Sequence, residues 1–237
     1  MKELLSICEK YELNISEKQC QQFNDYFNIL IEWNSFMNLT SITDKNEVMI
    51  KHFLDSIYLS KFYDYSNKSL IDVGTGAGFP GIPLKIFNPS VSVTLLDSLN
   101  KRVKFLNTVI DALSLEDICA IHSRAEDCAH DINYREKYDI AVSRAVANLS
   151  VLSEYCIPFV KKGGCFISYK SGDCEDEINN SKNAIKILSG KISKVESYSI
   201  YDFNNDELGR SLIFISKVDN CKNKYPRKAG VPVKNPL

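Results

Sequence analysis

The segment LIDVGTGAGFPGIPL, Leu70 to Leu84, joins an apolar run, three alternating glycines and a second apolar run with two prolines. This order is typical of a buried strand, a tight turn and the start of a helix in an α/β protein. Glycine adopts positive φ without strain and has no Cβ. Gly74, Gly76 and Gly78 therefore predict a loop whose backbone lies close to a ligand.

Short apolar runs alternate with amphipathic stretches on both sides of this segment. After Ser69 the runs are SLIDV, VSVTLLD, DICAIH, YDIAVS and GGCFISYK. Such alternation predicts an open, mostly parallel sheet with helices on both faces. Two later runs, KISKVESYSIY and RSLIFISKV, have no long helix between them and predict a closing antiparallel pair.

Three segments of the chain differ in pattern. Residues 1–65 place apolar side chains at helical spacing, and Ser16 followed by Gln19 is a capping-box signature, so this part predicts an N-terminal helical cap. Residues 66–218 carry the strand–helix alternation of the main domain. Residues 219–237 form a basic, proline-containing tail that we expect to be extended.

Composition narrows the class of protein. The 237 residues are 44% hydrophobic and 25% charged, with a formal net charge of −1, so bulk charge gives no argument for nucleic acid. The 8 cysteines include no C-x-x-C pair and only 3 histidines accompany them, which argues against a metal site. Without a signal peptide or an apolar run of ~20 residues, we expect a cytoplasmic protein with reduced thiols and no membrane contact.

The spacing of the glycine loop favours one cofactor class over another. A dinucleotide fingerprint is G-x-G-x-x-G, whereas Phe79 occupies the place of the third glycine here. Pro80 and Pro83 also remove N–H donors from the first helical turn, which weakens a phosphate site. The pattern therefore favours S-adenosylmethionine, and a nicotinamide dehydrogenase is the disfavoured alternative.

Asp97 ends the second predicted strand, where α/β nucleotide-binding folds place an acid for the ribose hydroxyls. Ser98 stands beside it. The alternative interpretation of Asp97 is the N-cap of the helix that begins in NKRVKFL.

Six motifs extend the argument across nearly the whole chain, in the order NLTSITDKNEVMIKHFLDSI, LIDVGTGAGFPGIPL, LLDSLNKRVKFLN, SRAED, VSRAVANL and YPRKAGVPVKNPL. Together they closely resemble the glucose-inhibited division protein B family of guanine-N7 methyltransferases. The resemblance implies a class I S-adenosylmethionine-dependent methyltransferase fold, an α/β, Rossmann-like, seven-stranded and mostly parallel sheet with a small N-terminal helical cap. It implies S-adenosyl-L-methionine as cofactor and a guanine in the decoding-region loop of 16S rRNA, free or in the small ribosomal subunit, as target. We expect a monomer.

The resemblance also implies site residues. Asp97 and Ser98 would face the ribose, Ala125 and Glu126 would flank the adenine, and Arg144 would lie at the cofactor or the reacting end. The predicted cofactor-binding residues are Gly74, Gly76, Gly78, Phe79, Asp97, Ser98, Ala125, Glu126 and Arg144, and the predicted RNA-binding residues are Lys101, Arg102, Arg124 and Lys170.

The chemistry needs few groups. Guanine N7 carries a free lone pair, so no proton has to leave before attack and no general base is required. The Asn/Asp-Pro-Pro-aromatic loop that grips an exocyclic amine is absent after YDIAVS, where the chain reads RAVANL. We therefore assign no acid or base. Arg144, the one candidate at the reacting atoms, is interpreted as an anion clamp or as an ion pair that closes the fourth strand.

Two interpretations remain beside rRNA methylation. One is a class I methyltransferase of another substrate, a small molecule or a protein. The other is a non-catalytic ribosome-assembly factor, against which the intact glycine loop and Asp97 argue. For His52 we expect packing between the cap and the sheet in preference to contact with RNA.

Overall fold

A seven-stranded mixed sheet forms the centre of the protein. The computed structural model describes residues 2–144 and 147–237. The strand order is β3-β2-β1-β4-β5-β7-β6. The strands are β1 Ser69–Val73, β2 Ser92–Asp97, β3 Ile118–His122, β4 Tyr138–Ser143, β5 Val160–Ser171, β6 Gly190–Tyr201 and β7 Glu207–Lys217.

The strand directions confirm the predicted sheet. β1 pairs in parallel with β2 and with β4, β2 with β3, and β4 with β5, while β7 runs antiparallel to both β5 and β6. All seven predicted strand segments are present. The chain order reverses between β1 and β4, and ligands of such sheets bind outside the carboxyl ends of the strands at this point.

Helices cover the sheet on both faces. In the described residues no helix is long and apolar enough to cross a membrane. The α-helices are α1 Lys2–Lys10, α2 Glu17–Met37, α3 Lys45–Val48, α4 Asp55–Ile57, α5 Gly81–Phe87, α6 Asn100–Ala112, α7 Ala125–Cys128, α8 Leu149–Cys156, α9 Glu175–Ile187 and α10 Val231–Lys234, with a π-helical segment over Met49–Leu54.

The N-terminal helices share a hydrophobic core with one face of the sheet. The capping box predicted at Ser16 is present, and its Gln19 side chain also donates to the carbonyl of Phe87 at the end of α5 (2.8 Å). Further along α2, Phe23 and Tyr26 are fully buried. The Tyr26 hydroxyl donates to the carbonyl of Ala77. Helix α2 thus contacts the glycine loop directly.

The C-terminal tail is packed, and the prediction that it is extended was wrong over α10. The Arg135 guanidinium donates to the carbonyls of Cys221 (2.9 Å) and Tyr225 (2.8 Å), and Pro232 is buried. Local composition missed this order because the partners of the tail lie far away in the sequence.

Candidate active site

The glycine loop follows β1 at the switch point. Gly74 and Gly76 have φ of +73° and +62°, and a Cβ on either would meet no atom of the described residues within 4 Å. Open space beside a backbone without side chains fits a bound ligand. Gly78 differs, because a Cβ there would lie 2.6 Å from Ile82 Cδ1 and 2.6 Å from Tyr26 Oη. Internal packing, and not ligand contact, explains why Gly78 lacks a side chain.

Asp97 lies at the end of β2 beside this loop and is only 2% exposed. Its Oδ2 accepts from the Gly76 amide at 2.9 Å, and its Oδ1 accepts from the Leu99 amide at 2.9 Å. Helix α6 begins after Leu99, so Asp97 is not its N-cap residue. A carboxylate offers about four acceptor sites, which leaves capacity for hydroxyl donors.

Arg102, predicted to bind RNA, lies against Asp97 with Nη1 3.4 Å from Oδ2. This contact places its guanidinium next to Asp97, which also binds the glycine loop. Lys101 and Arg124 are exposed on the same side, at the starts of α6 and α7.

The residues predicted near the adenine follow β3. Ala125 and Glu126 begin α7, and Glu126 is 9% exposed. The Glu126 Oε1 accepts from the Gly230 amide at 3.2 Å. Ser98 is exposed, and its carbonyl lies 3.1 Å from His122 Nε2. The carboxyl ends of β1, β2 and β3 thus bring the glycine loop, Asp97 and Glu126 to one edge of the sheet.

Asp72 is a site residue that the sequence interpretation missed. It is fully buried in β1, and its Oδ2 accepts from Thr75 Oγ1 (2.7 Å) and from the Gly81 amide (2.8 Å). It therefore binds both ends of the glycine loop, while its Oδ1 has no hydrogen-bond partner among the residues that the structure describes. An acid inside the apolar run SLIDV was the available signal, since such an acid needs internal donors.

Burial raises the pKa of Asp72 to about 6, although hydrogen bonds from Thr75 and Gly81 act in the opposite direction. The unfolded chain has a carboxyl pKa near ~4. Between these values the folded protein binds more protons, so the free energy of unfolding falls as pH rises from about 4 to about 6, by roughly 2–3 kcal/mol. We expect Asp72→Asn to abolish this slope. Urea unfolding of the unmodified protein and of Asp72→Asn at several pH values between about 4 and about 6 measures this slope. Parallel plots of unfolding free energy against pH for the two proteins would contradict the prediction.

Arg144 follows β4 and joins the N-terminal helices to the end of the sheet. Its Nη1 donates to Asp55 Oδ2 (3.0 Å) and to the Lys51 carbonyl (3.1 Å), and its Nη2 lies 3.2 Å from His52 Nδ1. Its guanidinium carbon lies 5.0 Å from the centre of the Phe79 ring. The ion-pair interpretation of Arg144 therefore describes its contacts in the structure.

Asp55 is the centre of this cluster; in sequence it stands with His52 in KHFLDS as a candidate to which no role was assigned. It is 4% exposed, and its second oxygen accepts from Arg210 Nε at 3.0 Å. One carboxylate therefore holds two arginines. In sequence it lies 89 residues from Arg144 and 155 from Arg210, so no local pattern could reveal the cluster.

His52 packs between the helices and the sheet, as expected. Its ring stacks on Phe79 with centroids 4.5 Å apart, and its Nε2 lies 2.9 Å from Thr40 Oγ1. Burial and the nearby Arg144 charge lower the pKa of His52 to about 3, so the ring is neutral. Phe79 itself is 7% exposed and packs against Tyr26 and His52, which turns it toward the helices.

A large cleft of about 1390 Å³ lies beyond the carboxyl ends of β4 and β5. Of the predicted site residues, Arg144 and Lys170 line it. The Lys170 ammonium donates to the Ala147 carbonyl (2.7 Å) and to Glu177 (2.6 Å), so it joins Ala147 to helix α9. The other predicted RNA-binding residues do not line the cleft in the described part of the chain; these are Lys101, Arg102 and Arg124. The described residues that line the cleft are Ile42, Lys51, His52, Asp55, Arg144, Ala147, Asn148, Ser150, Val151, Tyr169, Lys170, Ser171, Glu177, Asn180, Arg210, Val233, Pro236 and Leu237.

Within residues 2–144 and 147–237, no three His, Cys, Asp or Glu side chains converge as a metal site would require. No cysteine of the described residues forms a disulfide, and most of the cysteines are buried. Burial raises the pKa of Cys8, Cys128 and Cys165 to about 12, so these thiols stay protonated and pack as small apolar groups.

Comparison with known proteins gives a consistent family. The model of the family described as rRNA small subunit methyltransferase G matches residues 19–203. The chain is 52% identical to ribosomal RNA small subunit methyltransferase G of Clostridium kluyveri, covering 98% of this chain and 96% of that one. It is 52% identical to the protein of that name from Acetivibrio thermocellus, covering 96% and 92%. Among solved structures, M. jannaschii TYW2 in complex with AdoMet superposes with a TM-score of 0.56 at 13% identity, covering 75% of this chain and 80% of that one, which supports the fold.

Proposed function

The chain belongs to the rRNA small subunit methyltransferase G family, and we propose that it transfers a methyl group from S-adenosylmethionine to N7 of a guanine in the decoding-region loop of bacterial 16S rRNA. The observation that carries the proposal is the identity to curated relatives over nearly the full length of both chains. The open glycine loop beside Asp97 supports it independently, since a non-catalytic protein has no need of such a site.

The residues on the β1–β3 side fit the cofactor. Open backbone at Gly74 and Gly76 suits its amino-acid end, and the free acceptor capacity of Asp97 suits the ribose hydroxyls. Ala125 and Glu126, which begin α7 after β3, are proposed to flank the adenine. When bound, the cofactor supplies an electrophilic methyl group on a sulfonium.

The cleft beyond β4 and β5 is proposed for the target guanine. N7 attacks with its own lone pair, so these residues have to orient the base and exclude water, an effect worth up to ~7–11 kcal/mol in ideal cases. The guanine becomes positive as it reacts, and a bare cation beside it would oppose this. Asp55 reduces that difficulty, because its carboxylate pairs with Arg144 at 3.0 Å while it also holds Arg210, so Arg144 is not a bare cation. Arg144 is therefore proposed to orient groups in the cleft and not to transfer protons.

The test is methyl transfer from labelled S-adenosylmethionine to 16S rRNA and to small ribosomal subunits, with the product mapped by cleavage at N7-methylguanine. We expect one modified guanine in the decoding-region loop. Label on another atom, or cofactor binding without transfer to any RNA form, would overturn the proposal. We further propose that the protein acts in the cytoplasm as a monomer, with residues 1–65, 66–218 and 219–237 as helical cap, methyltransferase domain and tail.

Asp97→Ala tests the ribose contact. We expect cofactor affinity to fall by about 1–3 kcal/mol, or about 5- to 150-fold, because hydroxyl donors lose a charged acceptor. The matched control is Arg124→Ala, which we expect to keep cofactor affinity and to reduce RNA methylation. Calorimetric titration with S-adenosylmethionine measures the cofactor affinity of both variants, and the methyl-transfer assay measures RNA methylation. Unchanged affinity in Asp97→Ala would remove Asp97 from the site, and equal losses in both variants would contradict the division of roles.

A further inference from the structure

The C-terminal segment, residues 219–237, connects the two sides of the proposed active site. On the cofactor side, the Gly230 amide donates to Glu126 Oε1 at 3.2 Å. A few residues later, Val233, Pro236 and Leu237 line the cleft beyond β4 and β5. The segment therefore forms one wall of the substrate cleft while it contacts a residue proposed to flank the adenine.

A buried ion pair fixes the position of this wall. Glu154 on α8 is 1% exposed and accepts from Arg227 through the backbone amide (2.7 Å), Nε (2.9 Å) and Nη2 (2.7 Å). His130 Nε2 lies 2.7 Å from the Pro226 carbonyl, and Pro232 is buried. A charge pair with several hydrogen bonds in good geometry holds backbone in one place, so the segment is fixed before any ligand binds.

After Asp219, every charged side chain of the segment is cationic. From Asn220 to Leu237 it contains no Asp or Glu. Arg227 forms an ion pair with Glu154. Val233, which lies between Lys228 and Lys234 in the sequence, is 63% exposed. Four further cations are exposed and, in the described part of the chain, form no ion pair: Lys222, Lys224, Lys228 and Lys234.

We propose that the C-terminal segment is an RNA-binding wall of the active site, in which Lys228 and Lys234 contact phosphates of the strand that carries the target guanine. This inference rests on the proposed function. Lys234 lies between Val233 and Pro236, which line the cleft, and Lys228 lies two residues before Gly230, whose amide contacts Glu126. A strand whose guanine enters the cleft is therefore expected to pass its phosphates over this segment. Val231 and Val233 are exposed between Lys228 and Lys234. The apolar side chains suit the faces of riboses and the cations suit phosphates, so this pattern fits RNA better than a folded acidic protein. Arg227 is a positioning residue, because it acts through the segment that it holds.

The test replaces both lysines, in the variant Lys228→Gln/Lys234→Gln. We expect the KM for 16S rRNA to rise roughly tenfold and kcat to stay unchanged, because phosphate contacts position RNA and do not take part in methyl transfer. The slope of log binding constant against log salt should fall by ~1.4, at ~0.7 for each lost contact with single-stranded RNA. Lys228→Arg/Lys234→Arg should keep the slope of the unmodified protein.

The matched control is Lys18→Gln/Lys137→Gln, which removes the same charge at the opposite edge of the sheet. Lys18 is in the first turn of α2, whose neighbour Gln19 binds the end of α5, and Lys137 directly precedes β4. A slope and KM equal to those of this control would overturn the inference. A lower affinity for S-adenosylmethionine or a lower melting temperature in the test variant would also overturn it, since both indicate a structural role. RNA binding is measured without cofactor, so the result stands apart from whether transfer to N7 is observed.

Discussion

Asp55→Ala should lower the free energy of unfolding by about 3–5 kcal/mol, the usual cost of removing one partner from a buried ion pair. Asp55 is 4% exposed and accepts from Arg144 and Arg210, each at 3.0 Å, and the side chains of both arginines are only 16% exposed. Without the carboxylate, two guanidinium groups face each other with no counter-charge. The same change releases Arg144, so we expect methyl transfer to fall together with stability.

Asp219→Ala is the matched control for this prediction. Asp219 also pairs with a cation, Lys162 at 3.2 Å, but the two side chains are 69% and 63% exposed. Exposed pairs contribute little to stability, so we expect the urea midpoint of Asp219→Ala to stay close to that of the unmodified protein. Urea denaturation at neutral pH measures both variants. If Asp55→Ala is as stable as Asp219→Ala, the cluster does not hold the helices to the sheet.

The parts of the fold that depend on local pattern were predictable. The central strands were visible as apolar runs, because a strand covered on both faces has to be apolar along its length, whereas the edge strand β6 is polar and exposed at many positions. The Ser16 capping box was visible because its two partners lie three residues apart. The loop at Gly74 and Gly76 was visible because positive φ restricts the residue type.

The parts that depend on side-chain partners outside one helix or strand were not predictable. Arg102 and Lys170 were assigned to RNA from the family resemblance, yet they pair with Asp97 and Glu177, five and seven residues away across the turn between a strand and a helix. The order of the C-terminal tail depends on Glu154, 73 residues from Arg227. Sequence shows that a charge is present, but the fold determines whether another charge neutralises it.

Gly76 and Gly78 look alike in sequence but lack a side chain for different reasons. At Gly76 the missing side chain leaves space proposed for the cofactor, and at Gly78 it leaves space for internal packing. Alanine substitution separates these two causes. Gly76→Ala should destabilise the fold only by the cost of positive φ, about 1–2 kcal/mol, since its Cβ meets nothing within 4 Å. The methyl group would occupy the space proposed for the cofactor. We therefore expect affinity for S-adenosylmethionine to fall about 5- to 150-fold, for an overpacking cost of about 1–3 kcal/mol.

Gly78→Ala should act mainly on stability, where Gly76→Ala acts mainly on cofactor affinity. Its Cβ would lie 2.6 Å from Ile82 Cδ1 and from Tyr26 Oη, so overpacking adds to the φ cost and unfolding should become easier by about 2–5 kcal/mol. The control is Gly163→Ala, with φ of +85°, no atom within 4 Å of the added Cβ, and a place early in β5 away from the site. Denaturant unfolding and cofactor titration of all three variants separate the causes. Gly78→Ala as stable as Gly163→Ala would refute the packing explanation. Unchanged cofactor affinity in Gly76→Ala would show that the loop does not hold the cofactor.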